Sequence, residues 1–504
     1  MMVNIRLESD HAKTSPDALA VFLFDKAKQL PSSYRDADRM VGGLISQAMK
    51  QPELSAGREL VHVYYPQKGP RRLYIARLGE KDLFESNQLR IAASRLMQVV
   101  LLAKVKRLRT VMPGDIKAFI SADHAAQAVA DGFSIGMYSF TEYKGTVGTK
   151  PETGKAATIY LQIDHRLHRV MKTNLTIGQC VSAARRLAST PPNVANTSYI
   201  ASTCRSMAKK HGLGCRIINA RQAEQLGMGG LLAVGRAGSH PPLLICLEHK
   251  GKPGGRKKGP VLLVGKGITF DTGGYSLKSD GGKNMKYDKC GAVAVIGAMQ
   301  AIASLKLSQH VVGLIPCAEN MINHNAYRVD DIITFCNGVT VEVTNTDAEG
   351  RLILADALAW GTKTYKPTAV IDLATLTGGV VVALGSFCGG MFCNDDKLKS
   401  NLMAAAEATG EKLWQLPLWP EHRNMMKGTC GDLVNSADRK AHPIQGAAFL
   451  SYFVGPESPQ KMPTIPWAHL DIAGMADVDT ETPLYPKGPT GFGVRLLVET
   501  VQNM

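Results

Sequence analysis

The feature that most constrains this chain is a polar turn between a strand pattern and a helix pattern. Asn345-Thr346-Asp347-Ala348-Glu349-Gly350-Arg351-Leu352 carries two carboxylates two residues apart and a guanidinium two further on. Residues 339–343, before it, alternate apolar and polar side chains, the period of a half-buried strand. Residues 352–360, after it, form an apolar run that reads as a helix. Short apolar runs at 18–24, 261–264 and 368–373 read as buried strands. Residues 175–188 and 291–305 read as helices, as do 87–109, where a basic last turn complements the helix dipole. Residues 145–155 read as a loop. This alternation predicts an α/β fold whose largely parallel sheet is covered on both faces.

At 504 residues the chain is too long for a single core, and two domains are expected. All ten cysteines fall from Cys180 onward, which supports a boundary near 165–180. We place an N-terminal α/β domain at 1–170 and a larger C-terminal domain, with a mostly parallel or mixed central sheet, at 171–504.

A second acidic cluster lies upstream of the polar turn. The apolar run 261–264 leads into Gly265-Lys266-Gly267, then Asp271, Lys278 and Asp288. If Asp271, Asp288, Asp347 and Glu349 converge, they repel one another and raise each other's pKa values. Two divalent cations remove that conflict, and paired metals are a common device for hydrolysis. Other readings of single features stay open on the residues alone. Asp347 and Glu349 suit a helix cap and a first-turn carboxylate. A dimetal phosphatase or other hydrolase fits the carboxylates. Gly265-Lys266-Gly267 lacks the spacing of a phosphate-binding loop, and the thirteen histidines include no His-Glu-x-x-His. His165 and His168, at helical spacing, suit a solvated face, and His469 a packing or hydrogen-bonding role.

These strings resemble those of the leucyl aminopeptidase (cytosol aminopeptidase) family of dinuclear-metal exopeptidases. The family's NTDAEGRL stands letter for letter at 345–352, and its VGKGITFD-GG-SLK and MK-D patterns at 264–278 and 285–288. Ser189-Thr190-Pro191-Pro192-Asn193, Ala318-Glu319-Asn320-Met321, 372–378 and 467–474 are also similar to family segments. The resemblance covers the chain from about 180 onward, and 127–144 resembles the end of the family's N-terminal domain.

The resemblance implies a metal-dependent aminopeptidase that removes a leucine-like N-terminal residue from peptides through a metal-bridging hydroxide. It implies metal ligation by Lys266, Asp271, Asp288, Asp347 and Glu349, with Asp271 bridging two ions. Zinc is expected, with manganese or cobalt in an exchangeable site. A lysine ligates only as a neutral amine, which a nearby dication favours. The flanking glycines would let the backbone approach the metals. Lys278 is the implied oxyanion stabiliser, and Arg351 the implied holder of a bicarbonate that relays a proton. Met285, Asn345, Thr375, Leu376, Gly378 and Ala473 are the implied substrate-pocket residues. Lys278 to Asp288 is ten positions, one fewer than is usual in the family, so ligation should survive while side-chain preference is set locally. A homohexamer is implied as well.

An apolar content of 45% and 20% charged residues fit a globular enzyme. The cysteines form no spaced framework, and free thiols in a reducing compartment are expected. The first ten residues lack the apolar core of a signal peptide, and no stretch reads as a bilayer span, so the cytoplasm is expected. The net charge of +16 is not needed by this reading. Basic runs at 68–72, 104–109 and 250–258 read as solvated surface, the last as a Gly-rich loop. The competing class is nucleic-acid binding, as in some bacterial members of the family, but no recognition motif or aromatic interleaving accompanies the charge.

Overall fold

The computed structural model describes residues 3–9, 14–56, 59–147, 157–252, 259–455 and 461–504. It has a mixed α/β architecture in two compact units. One comprises Met1–Ser182 with Glu481–Pro486, the other Ala183–Thr480 with Lys487–Met504. The Gly-rich basic stretch 253–258 and most of the loop expected at 145–155 lie outside the described residues.

The first unit is built on six strands: β1 (Val3–Ser9), β2 (Ala18–Leu23), β3 (Val61–Tyr64), β4 (Arg72–Arg77), β5 (Arg107–Val111) and β6 (Ala157–Ile163). Their order is β1-β6-β5-β2-β4-β3, all parallel except the β3–β4 pair. Ala18 to Leu23 are all buried, which is why that run is apolar without alternation. The helix expected over 87–109 spans Ser86–Leu102 instead. Lys104, at φ 53°, turns the chain out of it, and the basic run continues as β5. There Leu108 is buried while Arg107 pairs with Glu8 at 3.2 Å and lies over the Tyr160 ring. Alternation and ladder bonds to β2 and β6 outweigh helix propensity at this point. His168 also differs from its expectation: its Nε2 sits 3.2 Å from the Glu8 and Ile163 carbonyl oxygens rather than in solvent.

The helices Ser86–Leu102 and Ala122–Gly136 are joined by a buried ion pair, Arg90 Nε to Asp131 Oδ2 at 3.2 Å. Removing one partner strands a charge where water cannot reach it. Asp131→Ala should therefore cost about 3–5 kcal/mol of stability, read from the denaturation midpoint. An unshifted midpoint would mean that the pair is not buried in solution.

The main sheet of the second unit has nine strands among the described residues: β7 (Gly214–Ile218), β8 (Leu243–His249), β9 (Val261–Gly265), β10 (Gly267–Asp271), β11 (Val311–Asn320), β12 (Ala369–Ala374), β13 (Gly389–Cys393), β14 (Leu413–Gln415) and β15 (Trp467–Asp471). The order is β14-β13-β15-β12-β9-β11-β8-β7, with β10 paired to β11. The central run β15-β12-β9-β11 is parallel. Val261 to Gly265 are buried throughout, and the helices Cys290–Leu305 and Gly350–Tyr365 both pack on this strand. Leu262 and Val264 share a core with Leu352, Leu354 and Leu358, while Leu263 points to the other face by the two-residue period of a strand.

The segment Met285–Leu305 is long and apolar enough to cross a membrane by length and composition, unlike the expectation that no stretch would qualify. With 83% of its window buried inside the protein, its apolarity is that of a core helix.

Chain order runs from β9 to β11 on one side and returns to β12 on the other. β9 is thus a switch point of the sheet, and the crevice beyond its carboxyl end is where open α/β sheets place ligands.

Candidate metal centre

Each acidic or basic group singled out in the sequence lies at that carboxyl edge. Lys266 follows β9, Asp271 ends β10, and Thr375 follows β12. Asp288 closes the short 3-10 turn Met285–Tyr287, just before the helix Cys290–Leu305. Asp347 and Glu349 precede the helix Gly350–Tyr365, whose N-cap is Glu349.

The side chains converge. Carboxylate oxygens of Asp271, Asp347 and Glu349 lie within 4.8 Å of one another. Lys266 Nζ sits 2.7 Å from Asp288 Oδ1 and 2.8 Å from Glu349 Oε1. Lys278 Nζ sits 2.8 Å from Asp271 Oδ2 and 2.5 Å from Asp347 Oδ1. The two lysines thereby link four carboxylates distant in sequence. Burial pushes the Lys266 ammonium down, but Asp288, Glu349 and Asp271 together outweigh it and hold it above the ordinary lysine value. Burial is likewise outweighed at Lys278, chiefly by Asp271 and Glu349. Burial, with the charges of Glu349 and Asp271, raises Asp347 to about 7. Burial also holds Asp288 well above the carboxylate range despite Lys266.

This donor set fits divalent cations. The oxygens are hard ligands, mutually repelling and mostly buried. Asp288 Oδ2 is buried without a hydrogen-bond partner among the described residues. Both lysines stand where compensating positive charge is required, and Lys266 Nζ lies among the oxygens that a cation would bind. Its expected role as a neutral ligand needs a dication to displace the proton.

Close backbone approach makes the cluster possible. A Cβ on Gly350 would lie 2.5 Å from Lys266 Cε, and one on Gly265 would lie 2.4 Å from the Gly291 carbonyl oxygen. Gly265 therefore admits the helix Cys290–Leu305 to the strand end. The contact it permits here is packing against backbone.

Arg351 is 1% exposed. Its Nη1 donates to the Asn435 carbonyl oxygen at 2.9 Å, and its Nε has no hydrogen-bond partner among the described residues. Burial brings it down to about 10 against the opposing pull of Glu349 and Asp471. An incompletely bonded buried guanidinium suits a small planar anion.

The expected pocket residues divide into two kinds. Met285 is half-buried on the 3-10 turn, and Gly378 is exposed. Thr375 braces the cluster, its Oγ1 donating to Asp288 Oδ1 at 2.8 Å and its carbonyl accepting from Lys266 Nζ at 2.8 Å. Asn345 turns inward, its Oδ1 accepting from Asp347 N at 2.8 Å. Leu376 and Ala473 both donate backbone N–H to Asp471 Oδ1, at 3.1 and 3.3 Å.

Several supporting residues were given no role from sequence. Asn320 Nδ2 donates to Asp271 Oδ1 at 2.8 Å and to the Thr346 carbonyl. Thr346 Oγ1 donates to the Gly273 carbonyl at 2.6 Å. Asp471 also accepts from Thr377 Oγ1 at 2.6 Å, fixing the 375–378 turn. Asn320 and Asp471 lie in segments that resemble the family, which was a signal of position though not of role; Asn435 had none. His469 has the hydrogen-bonding role expected of it: its Nδ1 is 2.5 Å from Asp372 Oδ1 across β15 and β12.

Comparison with known proteins agrees with this geometry. The family model "Cytosol aminopeptidase family, catalytic domain" matches residues 182–498, and "Cytosol aminopeptidase family, N-terminal domain" matches 20–146. A "Probable cytosol aminopeptidase" of Geotalea uraniireducens is 39% identical over 480 residues, 94% of each chain. One from Geobacter sp. (strain M21) is 37% identical, covering 99% of this chain and 100% of the relative. The solved structure of Bottromycin maturation enzyme BotP is 31% identical with a TM-score of 0.82, over 97% of this chain and 99% of that one. The same enzyme in complex with Mn gives a TM-score of 0.81. Matched in both domains and at this identity over nearly its whole length, the chain belongs to the cytosol aminopeptidase family, whose members are metal-dependent aminopeptidases.

Proposed function

We propose that this chain is a dinuclear metallo-aminopeptidase of the leucyl type, releasing a neutral, leucine-like N-terminal residue from peptides. The observation that carries the reading is the joining of Asp271, Asp288, Asp347 and Glu349 by Lys266 and Lys278 at one sheet edge. Lys266, Asp271, Asp288, Asp347 and Glu349 would hold two divalent ions, zinc or manganese among them. When bound, such a pair acidifies a shared water to hydroxide near neutral pH and offers a Lewis-acid partner to the substrate's amine and carbonyl.

This chain's own groups carry the remaining work. Lys278 keeps its proton and faces the oxygen on which charge develops as the carbonyl becomes tetrahedral. Arg351, whose Nε has no hydrogen-bond partner among the described residues, would hold a bicarbonate beside the centre, and such an anion would supply general-base chemistry there. Met285, Gly378 and Ala473, with Leu376, shape the space for the N-terminal side chain, and Thr375 and Asn345 keep the ligand turns in place. The N-terminal domain serves access or assembly and the working form is a homohexamer; the compartment is the cytoplasm, a reading that the relatives' names support.

The test is a panel of aminoacyl amides assayed with and without chelator, followed by add-back of single metals. Hydrolysis of leucyl amide should disappear with chelator and return with zinc, manganese or cobalt. Chelator-insensitive hydrolysis would overturn the metal reading, and a preference for acidic residues would overturn the leucyl one.

A further inference from the structure

Lys289 has no part in the chemistry described above, yet it is among the most deeply buried charged residues of the chain. It is 0% exposed, directly after Asp288, at the N-cap of the helix Cys290–Leu305. Its Nζ donates to the Thr190 carbonyl oxygen at 3.3 Å and to the Lys286 carbonyl oxygen. Among the described residues no carboxylate forms an ion pair with it. A buried ammonium costs several kcal/mol, and an apolar side chain of the same length would fill this space without that cost.

What the ammonium joins is informative. Thr190 lies one residue beyond the helix His168–Ser189. Lys286 is the middle residue of the Met285–Tyr287 turn, which has Asp288 as its C-cap. The other end of that turn is fastened separately: Asn284, at φ 65°, donates from Nδ2 to Asp479 Oδ1 at 2.8 Å. Met285 and Asp288 thus sit on a turn held at both ends, and charge-assisted bonds to carbonyls make the Lys289 end the stiffer kind of fastening. From this turn Asp288 reaches Lys266 Nζ and Thr375 Oγ1.

We propose that Lys289 is a positioning residue for the metal centre: through the Lys286 and Thr190 carbonyls it fixes the turn that presents Asp288. The inference rests on the dinuclear reading, because what it positions is a proposed ligand. Partners behind a metal ligand typically affect metal affinity or activity by about 10–100-fold.

The experiment compares wild type with Lys289→Met and Lys289→Gln, each loaded with zinc and then equilibrated in zinc buffers of falling free concentration. Metal per chain, melting temperature and leucyl-amide kinetics are read together. The wild type should hold two ions. Both variants should hold one ion at wild-type affinity and release the other about 10–100-fold more readily, and excess zinc should restore kcat. If a folded variant retains both ions at wild-type affinity, Lys289 is a structural residue only and the inference falls, whatever the melting temperature does. Should Lys289→Met fail to fold, Lys289→Gln decides on the same criterion, since it keeps an amide donor in the buried position. A wild type that never holds two ions would overturn the dinuclear reading, and this inference with it.

Discussion

Replacing Lys278 by alanine should cut turnover by about 10²–10³-fold, while the protein keeps its full complement of metal. Lys278 stands apart from the other cations of the cluster because it is 19% exposed at its side chain, whereas Lys266 is 4% exposed. It is the cation that an incoming peptide can reach. Its Nζ lies 2.8 Å from Asp271 and 2.5 Å from Asp347, so its position is set by two carboxylates before substrate arrives. A donor fixed in advance at the site of developing charge lowers the barrier without reorganising. An interaction made mainly in the transition state appears in kcat, with KM little changed. Removing it should leave binding of peptide amides nearly intact. Elemental analysis separates this from a structural effect. Loss of metal in parallel with turnover would show that Lys278 chiefly holds Asp271 and Asp347 in place, and unchanged turnover would remove it from the chemistry altogether.

The turn at 345–352 was legible in the sequence because its geometry is local. An alternating stretch, a polar turn and an apolar run describe a strand, a loop and the helix Gly350–Tyr365 without reference to anything distant. β9 and β12 were legible for a related reason: strands buried on both faces are written as unbroken apolar runs. What could not be read was pairing. Nothing in the spacing states that Lys266 meets Asp288 and Glu349 while Lys278 meets Asp271 and Asp347; that follows from the parallel order β12-β9-β11 and from glycines admitting one backbone to another. The roles of Asn435 and Asp471 were hidden likewise, since each bonds to segments more than eighty residues away. The helix over 87–109 was overextended because amphipathic periodicity ran on into basic residues that suit a strand edge as well as a helix end. Only the neighbouring strands β2 and β6 decide between them.

Asp271→Asn should abolish both turnover and most metal binding while the protein still folds, and this contrast with Lys278→Ala is the sharper test of the centre. Asp271 is 2% exposed at its side chain and ends β10. Its Oδ1 accepts from Gly273 N at 2.9 Å and Asn320 Nδ2 at 2.8 Å, and its Oδ2 faces Lys278. Asparagine keeps a carbonyl oxygen for the first two bonds, so the turn at 272–274 should survive. It loses the negative charge and the second acceptor, which a group shared between two cations requires. Asp271→Ala would remove the same charge but also leave buried donors without an acceptor, adding about 1–3 kcal/mol of destabilisation that obscures the result. Bound metal in Asp271→Asn should fall from roughly two ions to one or fewer per chain, and with it the stabilisation that metal lends the folded state. The melting temperature of the variant should thus stop responding to added zinc over the range in which the wild type responds. A variant that still holds two ions and still gains stability from zinc would place the shared ligand elsewhere in the cluster, and one of the remaining carboxylates, Asp288, Asp347 or Glu349, would then have to bridge without it.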